Sequence, residues 1–254
     1  MIDKLNFYTF NFSVGKNPSL MINPARINGA TGKAVGGGFL YRKGLKSITG
    51  KKAYYYEDGI EIEIIPRTKH MPESLRLSIN PSKLLNGHNY FTIDHNELLK
   101  CLGLVRNILA KVGITANIDL CKIGRIDICR NIETEYSFEH YKQSLELMTP
   151  KYMKNASPTS NPGYFRIDNA SRQYCAYDKL ENMLRKYGRT PESLGVIAEF
   201  IMRIEIRFIG QRSVANSLGI STVGELRNKV TFKRLQTRFI DILTNDFFRM
   251  ESIQ

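Results

Sequence analysis

The chain has 254 residues, of which 37 are Lys or Arg and 24 are Asp or Glu, so its formal net charge at pH 7 is +13. Such an excess of positive charge indicates a polyanionic partner, most often nucleic acid. No apolar run approaches the ~18 residues of a membrane span, no signal-peptide core stands at the N-terminus, and four scattered cysteines form no CxxC pair. These absences argue against a membrane, secreted, zinc-bound or disulfide-framed protein and favour a soluble, intracellular one with reduced thiols.

The N-terminal region combines one strand signal with a long glycine-rich stretch. Residues Tyr8 to Val14 alternate between apolar and polar side chains, which predicts a half-buried strand. Residues 15–50 are rich in glycine and carry Lys33, Arg42 and Lys43. This stretch is predicted to be a loop, which is either a basic flap over DNA or a plain surface loop.

The next hundred residues read as a hairpin, a strand and two helices. Residues 53–65 alternate on both sides of an Asp-Gly turn and predict a β-hairpin. Residues 75–79 follow as a strand, and an Asn-Pro pair opens a short helix at about residues 80–87. Residues 94–113 begin with a capping-box pattern and carry an apolar stripe at helical spacing, so they predict a longer helix.

The second half of the chain contains two strands that are polar on one face. Residues 122–132 and 200–209 both alternate with period two. Helices are predicted at 137–148, from Thr190 onward, and over about 222–245. Because no linker or repeat divides the chain, we expect one α+β domain over residues 1–254. In it, an antiparallel sheet has helices on one face and leaves a polar, DNA-facing active-site face open.

Each of the two polar strands carries a carboxylate beside arginine. Period two places Asp127 with Arg125 on one side of the first strand. It places Glu205 with Arg203 and Arg207 on one side of the second. Two carboxylates on polar strand faces are hard oxygen ligands that suit Mg²⁺ or Mn²⁺, which would polarise a scissile phosphate. Salt bridges on a solvated sheet face are the alternative interpretation.

The stretch 173–181 lies between these strands and holds a candidate nucleophile. A polar, aromatic strand ends at Tyr177 and leads into a helix over residues 180–187. A free tyrosine is only about a thousandth ionised at neutral pH, so a neighbouring cation that lowers its pKa would help it act. Lys179 shares its side if the strand continues, whereas Glu181 does so if the helix has begun. A buried tyrosine at an element boundary is the alternative.

Four blocks of the chain resemble, in the same order, blocks of the gene II replication initiators of filamentous phages and of related phage and plasmid rolling-circle initiators. The blocks are Ser78-Ile79-Asn80-Pro81-Ser82-Lys83-Leu84-Leu85-Asn86-Gly87-His88-Asn89, Ile123-Gly124-Arg125-Ile126-Asp127, Ala176-Tyr177-Asp178-Lys179 and Met202-Arg203-Ile204-Glu205-Ile206-Arg207. No block is specific by itself, but the ordered set spans about residues 75 to 210. The His-apolar-His pair of another large class of nicking proteins is missing.

The resemblance implies a site-specific enzyme that nicks and rejoins a DNA strand through a phosphotyrosine and so starts rolling-circle replication. Tyr177 would be the nucleophile and Lys179 its neighbouring cation. Asp127 and Glu205 would hold Mg²⁺ or Mn²⁺, with Glu181 as a further metal ligand. The partners would be origin DNA, first double-stranded and then as a nicked strand, together with a host helicase and a second copy of the chain. The protein would act in the cytoplasm of a bacterial host.

A wider set of basic residues is predicted to bind DNA. The set is Arg125, Arg203, Arg207, Arg172, Lys83, His88, Lys33, Arg42 and Lys43. Arg203 is expected to sit at the scissile phosphate and to act on cleavage more than on binding. Two other functions stay open at this stage: a non-catalytic DNA-binding regulator like the gene X products of such phages, and a basic RNA-binding module, although no aromatic RNP-type signature is present.

Overall fold

A computed structural model of the protein describes residues 1–16, 18–22, 26–27, 34–35, 39–40, 52–147, 153, 158–188, 190 and 192–247. Lys33, Arg42 and Lys43 lie outside the described residues, as does most of the glycine-rich stretch, so the flap prediction is untested. Within the described ranges, no helix is long and apolar enough to cross a membrane.

In the described residues, helices are interspersed among the strands along the chain. The strands are β1 (Ile2–Thr9), β2 (Phe12–Val14), β3 (Met21–Ile22), β4 (Arg26–Ile27), β5 (Ala34–Val35), β6 (Phe39–Leu40), β7 (Ala53–Glu57), β8 (Ile60–Ile65), β9 (Ser74–Ile79), β10 (Ile114–Ala116), β11 (Lys122–Glu133), β12 (Thr159–Asn161), β13 (Tyr164–Asp168), β14 (Arg172–Asp178) and β15 (Ile201–Ile209). The helices are α1 (Pro81–Asn86), α2 (His95–Lys111), α3 (Phe138–Glu146), α4 (Lys179–Tyr187), α5 (Gln211–Leu218) and α6 (Lys229–Ile242).

Most of the strands join one large antiparallel sheet. Among the described strands its order is β12-β13-β14-β15-β11-β1-β9-β8-β7-β3-β6, and two small sheets pair β10 with β2 and β4 with β5. The apolar face of the large sheet packs against α2, α5 and α6 in one continuous core. The opposite face carries the polar side chains of β11 and β15. This arrangement confirms the α+β class and the antiparallel sheet.

Local sequence signals account for several of these elements. Helix α2 begins at Asp94, whose side chain accepts a hydrogen bond from the backbone N–H of Glu97, while the Glu97 carboxylate accepts one from the backbone N–H of Asp94. This is the capping box that the sequence predicts. The β7–β8 hairpin turns at Gly59, whose φ of 85° is costly for residues other than glycine.

The first strand differs from the prediction. The pattern over residues 8–14 predicts one strand, but Phe12–Val14 is a separate strand that pairs with β10. Strand β1 instead starts at Ile2, and its pairing with β11 shifts between Ile2 and Lys4. Such a bulge adds one residue and breaks the period-two pattern, so the alternation that marks a strand is lost here. Asp3 lies at the bulge and is nearly buried.

Other elements were missed because they lack a start signal. Helix α5 follows Gly210 and has no side-chain cap, so it lacks the residue types that mark a helix N-terminus. The β12–β13 hairpin is likewise absent from the elements that the sequence predicts. Among the described residues of the segment predicted to be a helix from Thr190, the one helical turn is the 3₁₀ turn Glu192–Leu194. The C-terminal helix α6 begins later than predicted, at Lys229, because a 3₁₀ turn at Gly224–Arg227 precedes it.

One end of the polar face is covered. Ile201 and Arg203 share a side of β15 because they are two residues apart. Ile201 packs with Met183 of α4 and with Tyr90, and the Arg203 guanidinium donates to the Tyr90 carbonyl. Helix α4 and the loop around Tyr90 therefore lie over the polar end of β15. Most helices cover the apolar face as predicted, but this end of the polar face is closed to solvent.

Candidate active site

Three neighbouring strands bring the predicted site residues to one face of the sheet. In the antiparallel register, Tyr177 of β14 lies opposite Arg203 of β15, and Asp127 of β11 lies opposite Arg207 of β15. Residues directly opposite each other share a face of the sheet. Glu205 lies between the two arginines on that face, so the nucleophile and both carboxylates predicted from the sequence belong to one cluster.

The two carboxylates are held by arginine. The Arg125 guanidinium donates two hydrogen bonds to Asp127, from Nε to Oδ1 at 2.7 Å and from Nη2 to Oδ2 at 2.6 Å. The Arg207 Nε donates to Glu205 Oε1 at 2.7 Å and lies 3.9 Å from Asp127 Oδ2. The two carboxylates thus flank one guanidinium. The pKa of Asp127 is raised above its ordinary value, and burial is the largest cause. The hydrogen bond from Arg125 opposes this rise, whereas the charge of Glu205 adds to it.

Tyr177 lies beside these carboxylates and is nearly buried. Its hydroxyl donates to Glu205 Oε2 at 3.5 Å. Burial raises the pKa of Tyr177 well above its ordinary value of 10, and the charge of Arg203 only partly opposes this. The expectation that a neighbouring cation leaves this tyrosine with a lowered pKa is therefore wrong for the DNA-free protein, because the cost of burying a phenolate outweighs the attraction. The cation that acts on it is Arg203.

Lys179 points into a buried polar network. Its Nζ donates to Asn89 Oδ1 at 3.0 Å, and Asn89 Nδ2 donates to Asp3 Oδ1 at 3.4 Å. Burial, and after it the nearby charge of Arg203, lowers the pKa of Lys179 to about 7. Lys179 therefore links the start of α4 to the N-terminal strand and to the loop before α2.

Arg203 is the centre of the same network and is fully buried. Its Nε donates to Asn131 Oδ1 at 2.7 Å, its Nη1 to Asp3 Oδ1 at 2.8 Å and its Nη2 to the Tyr90 carbonyl at 2.7 Å. Each nitrogen of the guanidinium thus donates to a protein oxygen. The structure corrects the prediction that Arg203 sits at the scissile phosphate, because a side chain with 0% exposure cannot reach one without unpacking.

Several other predicted site residues lie apart from the cluster. Arg172 is on the helix-covered face, where its guanidinium donates to Tyr174 Oη and Ser217 Oγ. Glu181 is exposed in the first turn of α4, and its carboxylate lies in the space that a side chain at Gly163 would fill. Neither residue is brought to the carboxylates by the sheet register.

Lys83 and His88, the two predicted DNA-binding residues of the block at residues 78–89, lie at different distances from the cluster. The Nζ of Lys83 is 3.8 Å from Asp58 Oδ1, beside the β7–β8 turn. His88 is buried in the loop that supplies Asn89 and Tyr90, and its Nδ1 accepts the Tyr90 backbone N–H at 3.3 Å. His88 is thus a neighbour of the polar network, whereas Lys83 is not.

Reasoning from the sequence missed four members of the network: Asp3, Asn89, Tyr90 and Asn131. Asn89 is the last residue of the first block that resembles the family, so the resemblance could have identified it. Asp3 had none, because the bulge in β1 hides the strand that carries it. Asn131 lies two strand positions beyond Cys129, so the period-two rule applied to β11 would have placed it on the face of Asp127.

The cluster offers two carboxylates to a divalent cation. Among the residues that the structure describes, no group of three or more His, Cys, Asp or Glu side chains is arranged to hold a metal ion. Asp127 and Glu205 nevertheless fit Mg²⁺ or Mn²⁺ in chemistry, because these ions take one or two carboxylates and complete their shell with water and phosphate. The two side chains already share one cation, Arg207.

Lys179 is expected to make stability depend on pH. Because its pKa is about 7 in the folded protein and ordinarily 10.5, the unfolded chain binds more protons between these values, and stability from this group rises with pH there. We expect Lys179→Met to reduce the rise in unfolding free energy between pH 7 and 8.5 by on the order of 1–2 kcal/mol. Urea denaturation of both proteins at the two pH values measures this. An identical pH dependence would contradict it.

The fold and the cluster define an antiparallel-sheet protein with a buried tyrosine beside arginine-paired carboxylates. The family model for the N-terminal part of a phage replication-associated protein, the gene II protein, matches residues 1–229. The chain belongs to this family, which confirms the resemblance drawn from the four blocks.

The other comparisons concern individual proteins. No curated protein matches the chain. Among solved structures, the chain is similar to a rolling-circle replication initiator protein from Geobacillus stearothermophilus, with 12% sequence identity and a TM-score of 0.41. That similarity covers 100% of this chain and 88% of the other.

Proposed function

We propose that the protein nicks and rejoins one strand of origin DNA at a specific site, through a phosphotyrosine at Tyr177, and thereby starts rolling-circle replication in a bacterial cytoplasm. Membership of the replication-associated family supports the replication role. The observation that carries the nicking role is the 3.5 Å contact between the Tyr177 hydroxyl and Glu205 Oε2. It lies in a cluster with Asp127 and two partly exposed arginines.

The chemistry assigns a role to each group of the cluster. The Tyr177 oxygen attacks the scissile phosphorus, a phosphotyrosine bond forms, and the bond from phosphorus to one deoxyribose oxygen breaks. Glu205 Oε2, to which the hydroxyl donates in the DNA-free protein, accepts the tyrosine proton, and the released deoxyribose oxygen takes up a proton. Attack by that hydroxyl on the phosphotyrosine reverses the step and rejoins the strand.

Arg125 and Arg207 are the cations that a phosphate would meet. Their side chains are 26% and 22% exposed, whereas Arg203 is enclosed. Positioned cations at the reacting phosphate stabilise charge that develops in the transition state. Arg203 instead stabilises the site through its hydrogen bonds to the Asp3 carboxylate and to the Tyr90 carbonyl.

Asp127 and Glu205 would hold Mg²⁺ or Mn²⁺. When bound, such an ion polarises the phosphate and neutralises its charge. The remaining basic charge of the chain suits a DNA track. Contacts to a host helicase and to a second copy of the chain stay predictions.

The metal proposal has a direct test. We expect Asp127→Asn to raise the Mg²⁺ concentration needed for half-maximal nicking by at least about tenfold, the low end of the loss for outer-shell partners of a metal. Asp168→Asn is the matched control, because Asp168 lies on β13, two strands away from β15, and pairs with Arg166. Mg²⁺ titrations of nicking for both variants measure the effect, and full activity in EDTA would rule out a metal requirement.

The function itself is tested with supercoiled DNA that carries the replicon origin. Incubation with Mg²⁺ should yield nicked circles and a covalent protein–DNA adduct that survives denaturation. Tight binding of the same DNA without nicks or adduct would instead identify a DNA-binding regulator of the gene X kind.

A further inference from the structure

A cleft of about 620 Å³ opens on the polar face beside the cluster. Its volume is in the range of sites that take a drug-sized ligand. Arg125 lines the cleft and also holds Asp127, so the cleft and the cluster share a wall. From Tyr177 the polar face runs diagonally across β15 and β11 to β1. That path is on the order of 30 Å from the strand and residue spacings, which is long enough for several nucleotides.

An exposed aromatic platform stands in this cleft. Phe10 is 45% exposed, and the ring of Tyr8 meets it edge-on, with centroids 5.7 Å apart and planes at 71°. Tyr8 is itself fixed, because its hydroxyl donates to Gln211 Oε1 at 2.9 Å. A side chain at Gly124 would begin only 3.6 Å from the Tyr8 ring. Phe10 therefore exposes a large apolar surface to water. It packs against the Tyr8 ring, which the hydrogen bond to Gln211 holds in place.

Charges of both signs surround the platform. Lys4, Arg76 and Arg125 line the cleft together with Glu61 and Glu63. Cations attract a phosphate backbone, whereas carboxylates accept hydrogen bonds from the exocyclic amino groups of bases. A wall of this mixed kind suits a ligand that has both an anionic backbone and amino-bearing rings.

The cleft also contains an acceptor without a partner. The amide oxygen of Asn6 makes no hydrogen bond, and Asn6 lines the cleft. Buried polar atoms are nearly always paired. Rotation of this amide toward the cleft would let the oxygen accept a hydrogen bond from a base without losing an existing one.

We propose that this cleft binds unpaired nucleotides of the DNA strand that flanks the nick, with a base stacked on Phe10 and phosphates held by Arg76 and Arg125. The proposal rests on the proposed function for the identity of the strand. The chemistry of recognition is that of single-strand binding sites, in which aromatic side chains stack bases and cations follow the backbone. Bases inside a continuous duplex have both faces stacked on their neighbours and cannot stack on Phe10, so the cleft selects the melted strand.

The test measures binding in EDTA, where the metal-dependent cleavage proposed above does not take place. Its probes are a labelled 12-nucleotide oligodeoxycytidine, whose bases carry exocyclic amino groups, and an abasic strand of the same length and charge. We expect Phe10→Ala to weaken binding of the oligodeoxycytidine by about 5- to 150-fold, the range for loss of one base–aromatic stack, and to leave binding of the abasic strand unchanged. Tyr136→Ala is the matched control, because Tyr136 is 47% exposed and lies beside α3.

A second arm tests the backbone contact. Arg76→Ala should reduce the slope of log K against log[salt] for the single strand by about 0.7. Lys100→Ala removes one charge from α2, on the other side of the sheet, and should leave the slope unchanged. Equal loss of oligodeoxycytidine and abasic binding in Phe10→Ala, or equal loss for duplex DNA, would overturn the proposal. Because no nicking is measured, failure here is distinct from failure of the proposed function.

Discussion

Tyr177→Phe is expected to abolish the covalent adduct and to lower nicking by at least about 10³-fold, as loss of a nucleophile does in other covalent enzymes. The change removes one oxygen and leaves the ring in place. The lost hydrogen bond to Glu205 is long, at 3.5 Å, so the cost in unfolding free energy should not exceed about 1 kcal/mol. DNA binding should therefore survive while chemistry stops. Gel assays for nicked circles and adduct, beside urea denaturation, measure both.

The structure identifies the proper control for this variant. Tyr174 is the nearest tyrosine to Tyr177 along the chain, but its hydroxyl accepts from Arg172 on the helix-covered face. Tyr164 instead pairs with Tyr177 across β13 and β14, with ring centroids 6.3 Å apart. We expect Tyr164→Phe to retain the adduct. An adduct that persists in Tyr177→Phe and disappears in Tyr164→Phe would transfer the nucleophile to the neighbouring strand.

Arg203→Met is expected to lower the free energy of unfolding by about 3–5 kcal/mol, the usual cost of removing one partner of a buried ion pair. The change leaves Asp3 charged and buried without its guanidinium, and it leaves the Tyr90 carbonyl and Asn131 without a donor. For a chain of this size, each kcal/mol shifts Tm by about 2–4 °C. Urea and thermal denaturation measure the loss.

The control for Arg203 is an arginine of equal charge in an exposed ion pair. Arg106 donates to Asp119 Oδ2 at 2.8 Å with its side chain 46% exposed, and such pairs contribute about 0–1 kcal/mol. Arg106→Met should therefore remain close to the parent protein. If Arg203→Met were equally stable but failed to nick, Arg203 would act on the phosphate after all, and its buried role would be wrong.

Period-two alternation explains why the sequence predicted the cluster. Alternation depends only on neighbouring residues, so it places Asp127 and Glu205 on the polar sides of their strands wherever those strands pair. The block around Tyr177 marked the end of a strand, and the structure ends β14 at Asp178. The capping box of α2 and the Asp58-Gly59 hairpin are equally local and were predicted for the same reason.

Tertiary structure alone decided how deeply each side chain is buried and which groups it pairs with. Arg203 and Arg207 have the same sequence pattern, yet one is enclosed by Asp3, Asn131 and Tyr90 from three distant segments, while the other is partly exposed. The pKa of Tyr177 follows from burial, which no local pattern reports. Sequence by itself determined that Asp127 shares a face of β11 with Arg125. It likewise determined that Glu205 shares a face of β15 with Arg203 and Arg207. Burial and charge pairing are sums over contacts from remote strands and loops, so only the packed sheet could assign these arginines their different roles.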